Sequence, residues 1–252
     1  MTDGLGALKK GLAGLKRLHA APIDLGRVAL IREASLDQLS SPVGLQKLLL
    51  ELGLNDEGMH EVPQALHPHC GQGLRIWQYP IQFSRYLAAT SQLKVRSYLE
   101  LGIRHGGAFV ATVEYLERFG PPLDFAVAVD LLPCPSMDEY RKLNPRASFE
   151  RLNTQSPALA ALVERLGFID LVFIDSHHEE GQCRRELEML LPRAGMIALH
   201  DIVNRDWPGI GAVWEELKAA RTHRCYEFTE QYGDLGPYMG IGLAVRKDRA
   251  SP

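Results

Sequence analysis

The chain has no apolar run approaching the ~20 residues that span a bilayer. It also has no internal repeat and no low-complexity segment. Its four cysteines, Cys70, Cys134, Cys183 and Cys225, lie far apart and form no CxxC pair. They read as free thiols in a reducing compartment, not as a disulfide framework or a zinc knuckle. Neither charge dominates: 28 Lys and Arg against 31 Asp and Glu leave a formal net charge of -3. That balance gives no electrostatic case for nucleic acid as a partner. The N-terminus lacks the continuous apolar segment and cleavage site of a signal peptide. The expectation is a soluble cytoplasmic protein. With 252 residues, 46% hydrophobic and 23% charged, the composition is that of a globular protein. The length suits one large domain, or a domain plus an appendage.

Residues 1–92 read as a helical, irregular extension. Leu5, Leu8, Leu12, Leu15 and Leu18 recur at helical spacing, with Lys9, Lys10, Lys16 and Arg17 between them. A membrane-surface helix has this pattern, but so does a stripe packed on its own protein or on a second copy, and packing is the commoner use. Membrane contact is therefore disfavoured, and a homo-oligomer stays open. Ser41-Pro42 predicts a helix start, with a capping hydroxyl and then proline in the first turn. Leu45, Leu48, Leu49 and Leu52 continue that helix to Gly53. A loop or lid rich in Pro, Gly, His and aromatics follows, then a helix from Ile81 to Thr90. His67, His69 and Cys70 superficially suggest a metal site, but no fourth ligand stands at a usual spacing. Trp77, Tyr79 and Phe83 would line an acceptor pocket or pack the first helices.

Residues 93–252 have a different texture: short apolar runs alternate with amphipathic stretches. Strands are predicted in "VRSYLELG", "FAVAVD", "SFERLN", "IDLVFID", "MIALHD", "CYEFTEQ" and "MGIGLAVRK". Helices are predicted in "GAFVATVEYLERFG", "SPALAALVERLG", "EGQCRRELEMLLPRAG" and "GIGAVWEELKAAR". Strands alternating with helices argue for an α/β fold, a Rossmann-like, doubly wound, mostly parallel seven-stranded sheet. Buried parallel strands are apolar throughout, as these are.

In such a sheet ligands bind beyond the carboxyl ends of the strands. Five successive strands finish there on polar groups: Glu100-Leu101-Gly102, Asp130, Asn153 to Ser156, Asp175, and His200-Asp201. The turn "LELGIRHGGAF" is not GxGxxG, since Gly102 is followed by Gly106-Gly107. Gly102 lets the chain turn tightly and leaves room for a ligand near the backbone. Glu100 would repel a pyrophosphate but accept a hydrogen bond from a cationic ligand. Asp130 is placed to accept ribose hydroxyls, as acids do in related nucleotide folds. A ligand with a ribose, an adenine and a positive charge fits these residues better than a dinucleotide. A tight turn with no ligand is the alternative for the glycines taken alone.

With these residues the chain resembles the class I S-adenosylmethionine-dependent methyltransferases. The resemblance rests on "ELGIRHGG", Asp130 and "IDLVFIDSHHEEGQCRRELEMLLPRAGMIALHDI", and covers Val95 to Lys247. Within that superfamily the chain is most similar to the small-molecule O-methyltransferases related to macrocin O-methyltransferase and cephalosporin-biosynthesis proteins. The resemblance implies that Glu100, Gly102, Gly106, Asp130 and Asp175 form the cofactor side, with Gln155 and Ser156 where the adenine is read. It implies S-adenosylmethionine as cofactor and a hydroxyl of a small molecule or sugar as acceptor. It also puts His178, three residues after Asp175, in the position of the catalytic base, where an imidazole titrates near physiological pH.

Methyl transfer to a hydroxyl requires alignment and removal of one proton. A base can remove it, or a divalent cation can lower the hydroxyl pKa. Asp175 and Asp201 end neighbouring strands and would hold a hard cation such as Mg²⁺. Metal-dependent members of the resembling group carry a Glu-Asp pair at the second position, where this chain has His200-Asp201. His200 would replace the Glu as third ligand, favour a softer metal, or point elsewhere. Trp207 would cover the site, and Trp214 reads as core. Two other functions stay open: a non-catalytic cofactor-binding protein, and a nicotinamide-dependent oxidoreductase, which the glycine spacing disfavours.

Overall fold

The structure, a computed structural model, describes residues 19–233 and 235–248. The leucine stripe from Leu5 to Leu18 lies outside the described residues. Three helices open the described chain: α1 (Val28–Glu33), α2 (Leu36–Ser40) and α3 (Pro42–Leu52). The Ser41 hydroxyl accepts from the Gly44 amide, Pro42 fills the first turn, and Gly53 ends α3 at φ 98°. The buried face of α3 is Leu45, Leu48, Leu49 and Leu52, the spacing of one helical stripe. A looping stretch then leads to α4 (Pro80–Ser91).

Seven strands alternate with the remaining helices. In chain order they are β1 (Ser97–Leu101), α5 (Gly107–Phe119), β2 (Phe125–Asp130), α6 (Ser136–Leu143), β3 (Ala147–Arg151), α7 (Pro157–Leu166), β4 (Ile169–Ile174), α8 (Glu180–Leu190), β5 (Ala194–His200), α9 (Pro208–Ala219), β6 (His223–Phe228) and β7 (Ile241–Arg246). The sheet order is β3-β2-β1-β4-β5-β7-β6. All neighbouring pairs are parallel except β5–β7 and β6–β7. The fold is thus the doubly wound α/β sheet expected from the alternation. Helix α6 was not expected. It has only two turns, with Met137 and Tyr140 as its larger buried side chains, so its period is too short to read. Its acids Asp138 and Glu139 start it and Arg141 and Lys142 end it, which suits the helix dipole. Strand β7 starts at Ile241, two residues later than expected, because Met239 and Gly240 turn the chain at φ 57° and 95°.

Strand alternation sorts the core into two layers. Tyr98, Phe173, Met196, Ala198 and Leu243 pack towards the first helices, α4 and α5. Leu99, Leu101, Val172, Ile174, Ile197 and Leu199 pack towards α7, α8 and α9, with Trp214 fully buried among them. All four cysteines are free. Among the described residues no helix is long and apolar enough to cross a membrane.

The register sets the level of the site. Leu101 pairs with both Val129 and Ile174, and Ile174 pairs with Leu199. One step beyond those pairs stand Gly102, Asp130, Asp175 and His200. The strand order reverses between β1 and β4, the position at which a crevice opens in such sheets.

Candidate active site

The turn after β1 is built by backbone fit. Gly102 has φ 84°, and a Cβ there would lie 2.1 Å from the Asp175 carbonyl oxygen. Glycine thus lets the exits of β1 and β4 touch main chain to main chain. The Asp130 carboxylate holds the same turn: Oδ2 accepts from the Ile103 and Arg104 amides at 3.0 and 2.8 Å, and Oδ1 from the Leu132 amide at 2.8 Å. Three of its roughly four acceptor directions are therefore taken by the backbone, and about one remains for a ligand hydroxyl. Glu100 lies 1% exposed inside β1 and accepts from the Tyr98 hydroxyl. Burial pushes its carboxyl up to about 8, against that hydrogen bond. Gln155 and Ser156 stand on the loop from β3 to α7. The Gln155 amide donates to Gln182 of α8, and the Ser156 hydroxyl donates to the Asn153 carbonyl at 2.6 Å.

Asp175, His178, His200 and Asp201 converge beside this turn, each offering one ligand atom within 4.8 Å of the others. His178 Nε2 lies 3.4 Å from Asp175 Oδ1, and its Nδ1 lies 3.2 Å from Asp201 Oδ2. His200 Nδ1 lies 3.0 Å from Asp175 Oδ1 and 3.4 Å from Asp201 Oδ2. Those His200 contacts are close but misaligned. Both of its ring nitrogens are buried and make no directed hydrogen bond. Burial would lower the His200 pKa, but Asp175 and Asp201 outweigh it and hold it well above the ordinary imidazole value. His178 is raised in the same way, burial being outweighed by the same two carboxylates. Burial pushes the Asp201 carboxyl up, but His200, His178 and Asn204 bring it down to about 2. Asp201 itself sits at φ 62°, a costly conformation of the kind that gathers at functional sites.

Two amides support these acids, and the sequence reading missed both. Asn204 donates to Asp201 Oδ1 at 2.8 Å. An Asn three residues after an Asp on a strand-to-helix loop is a turn signal that would have found it. Gln78 donates to Asp175 Oδ2 at 3.0 Å across 97 residues of sequence, and no local signal marks it. Trp207, 39% exposed, stands edge-on to His178 at 5.2 Å and so covers one side of the group. His177 is exposed, as expected of a loop residue. His67, His69 and Cys70 are spent on the carbonyls of Val62, Leu50 and Leu66, which accounts for them as local structure.

No protein-family model matches the chain, and no curated protein sequence matches it. Solved structures do resemble it in fold. An O-methyltransferase from Bacillus cereus, in complex with S-adenosylhomocysteine, aligns with TM-score 0.52 at 16% identity, over 85% of this chain and 93% of that one. An O-methyltransferase of tomaymycin synthesis from Streptomyces achromogenes, in complex with S-adenosylmethionine, aligns with TM-score 0.52 at 15% identity, over 68% and 81%. At these identities the likeness is one of fold: the chain has the Rossmann-like fold of the class I methyltransferases.

Proposed function

We propose that the chain is an S-adenosylmethionine-dependent O-methyltransferase acting on a hydroxyl of a small molecule or sugar. The observation that carries this reading is the contact between the Gly102 turn and the exit of β4, which puts that turn directly beside Asp175, His178, His200 and Asp201. The fold likeness to structures that hold S-adenosylmethionine or S-adenosylhomocysteine supports it.

S-adenosylmethionine supplies a methyl group already activated on a sulfonium, so the protein has to align the acceptor oxygen and take its proton. Gly102, Gly106 and Asp130 shape the turn that receives it, and Gln155 and Ser156 stand at the adenine side. His178 is the base: it would take the hydroxyl proton at a ring nitrogen as the acceptor oxygen bonds to the methyl carbon and the methyl–sulfur bond breaks, leaving S-adenosylhomocysteine. Asp201 holds Nδ1 of His178 and fixes the ring, so that Nε2, in the neutral form of His178, is the nitrogen that takes the hydroxyl proton. The most exposed member of the four, His178 is the one that reaches the open side; its side chain is 32% exposed.

Asp175, Asp201 and His200 also fit a divalent cation, with His178 left free as the base. The donor set is two carboxylates and one imidazole, and the His200 nitrogens are buried without directed partners. Such a cation would lower the pKa of the acceptor hydroxyl. Imidazole ligands move the preference away from Mg²⁺ alone and towards ions such as Mn²⁺ that accept both nitrogen and oxygen.

The test is transfer of a labelled methyl group from S-adenosylmethionine to a panel of hydroxylated metabolites. The expected product is a labelled methyl ether, lost on chelation and restored by Mn²⁺. Label transfer that survives chelation in full removes the cation from the reading. Cofactor binding without transfer to any hydroxyl acceptor would point instead to a non-catalytic binding protein.

A further inference from the structure

Gln78 stands just before α4 and is 3% exposed. Its Nε2 donates to Asp175 Oδ2, and its Oε1 is buried with no hydrogen-bond partner. A carboxylate can only accept, so the amide cannot be turned round: the NH₂ group must face Asp175. Leucine or methionine would fill the same space without burying an unpaired carbonyl. What the glutamine adds is one donor aimed at one oxygen of Asp175. With Oδ2 so held, Oδ1 is the oxygen that faces His178 and His200.

The backbone that delivers Gln78 is fixed by other contacts. The Leu74 amide donates to the Leu52 carbonyl at 2.7 Å, and Ile76 to the Gly53 carbonyl at 3.0 Å. The Leu74 carbonyl comes so close to the start of α5 that a Cβ on Gly107 would lie 1.8 Å from it. Glu57 grips Arg104, in the turn after β1, through two hydrogen bonds of 2.9 and 2.7 Å. The stretch 53–78 is thus pinned to the cofactor turn and, from there, reaches Asp175.

We propose that Gln78 is a positioning residue that orients the Asp175 carboxylate for the cation, so that residues preceding the sheet complete the site. This rests on the cation reading given above. Second-sphere partners of metal ligands are commonly worth about 10- to 100-fold in metal affinity. The test is calorimetric titration of Mn²⁺ into the full chain and into Gln78→Met and Gln78→Glu, with S-adenosylhomocysteine affinity without metal and the unfolding midpoint measured alongside.

In Gln78→Met, Mn²⁺ affinity is expected to fall about 10- to 100-fold while S-adenosylhomocysteine affinity is unchanged. Gln78→Glu has the same shape but adds an acid beside Asp175. It is expected to bind Mn²⁺ more tightly than wild type, because the cation relieves that repulsion. Folded Gln78→Met with wild-type Mn²⁺ affinity overturns the inference. Should Gln78→Met not fold, Gln78→Leu takes its place, and wild-type Mn²⁺ affinity in that folded variant overturns it equally. Equal losses in both variants together with weakened S-adenosylhomocysteine binding would make the role one of packing, and also overturn it. A wild-type chain that binds no Mn²⁺ overturns the cation reading itself.

Discussion

Asp175→Asn is expected to lower affinity for a divalent cation by about 30- to 1000-fold. The change keeps the shape of the side chain and removes its charge. Unit charges 4 Å apart interact by about 4 kcal/mol at an effective dielectric of 20. Partial access to water reduces what is lost to on the order of 2–4 kcal/mol, which corresponds to that range. Titration of Mn²⁺ into wild type and variant reads it directly. The same substitution has a pH signature in stability without metal. His200 has a raised pKa in the folded chain, in part through Asp175. A raised imidazole pKa gives stability that is fully present below the unfolded value of about 6.5 and is lost as pH rises through the folded value. Asp175→Asn should therefore depress the unfolding midpoint more at pH 6 than at pH 9. An equal depression at both would show that His200 does not draw its charge from Asp175.

Gly102→Ala is expected to destabilise the chain by on the order of 3–5 kcal/mol and to abolish binding of S-adenosylhomocysteine. The left-handed backbone costs a side-chain-bearing residue about 1–2 kcal/mol. The larger part is overlap: the new Cβ would stand 2.1 Å from the Asp175 carbonyl oxygen and 2.7 Å from Ser176 Cα. Both are main-chain atoms, so no side chain can swing away. Relief requires the exits of β1 and β4 to part, and that separates the Gly102 turn from Asp175, His178, His200 and Asp201. Gly120→Ala is the control, since a Cβ there meets nothing within 4 Å. Its effect on stability is expected within about 0.5 kcal/mol. Denaturant unfolding and ligand titration of both variants check the pair.

The sheet was legible because β2, β4 and β5 are largely buried on both faces and read as nearly unbroken apolar runs, each ended by an abrupt polar residue. Asp175, His178 and Asp201 stood out for the same reason: each lies within a few residues of a strand end. The sequence left three fates open for His200, and the structure turns Nδ1 towards Asp175 and Asp201. Strand order made that arrangement, since β4 and β5 are neighbours while their exits are 25 residues apart in the chain, from Asp175 to His200. Gln78 was beyond reach for the opposite reason. It sits in no periodic segment, and only the close backbone fit of Gly53, Gly73 and Gly107 carries it to Asp175. The Asp130 side chain was read as a ligand acceptor, but its three backbone amide contacts depend on the exact path of the turn, which residue types do not specify.

Titration of S-adenosylhomocysteine into the full chain, with and without Mn²⁺, is the direct test of a cofactor site beside Asp175. Binding of one molecule per chain is expected, abolished in Gly102→Ala and retained in Gly120→Ala. No binding by the wild-type chain under either condition would contradict it, because the turn beside Asp175 would then be no cofactor site.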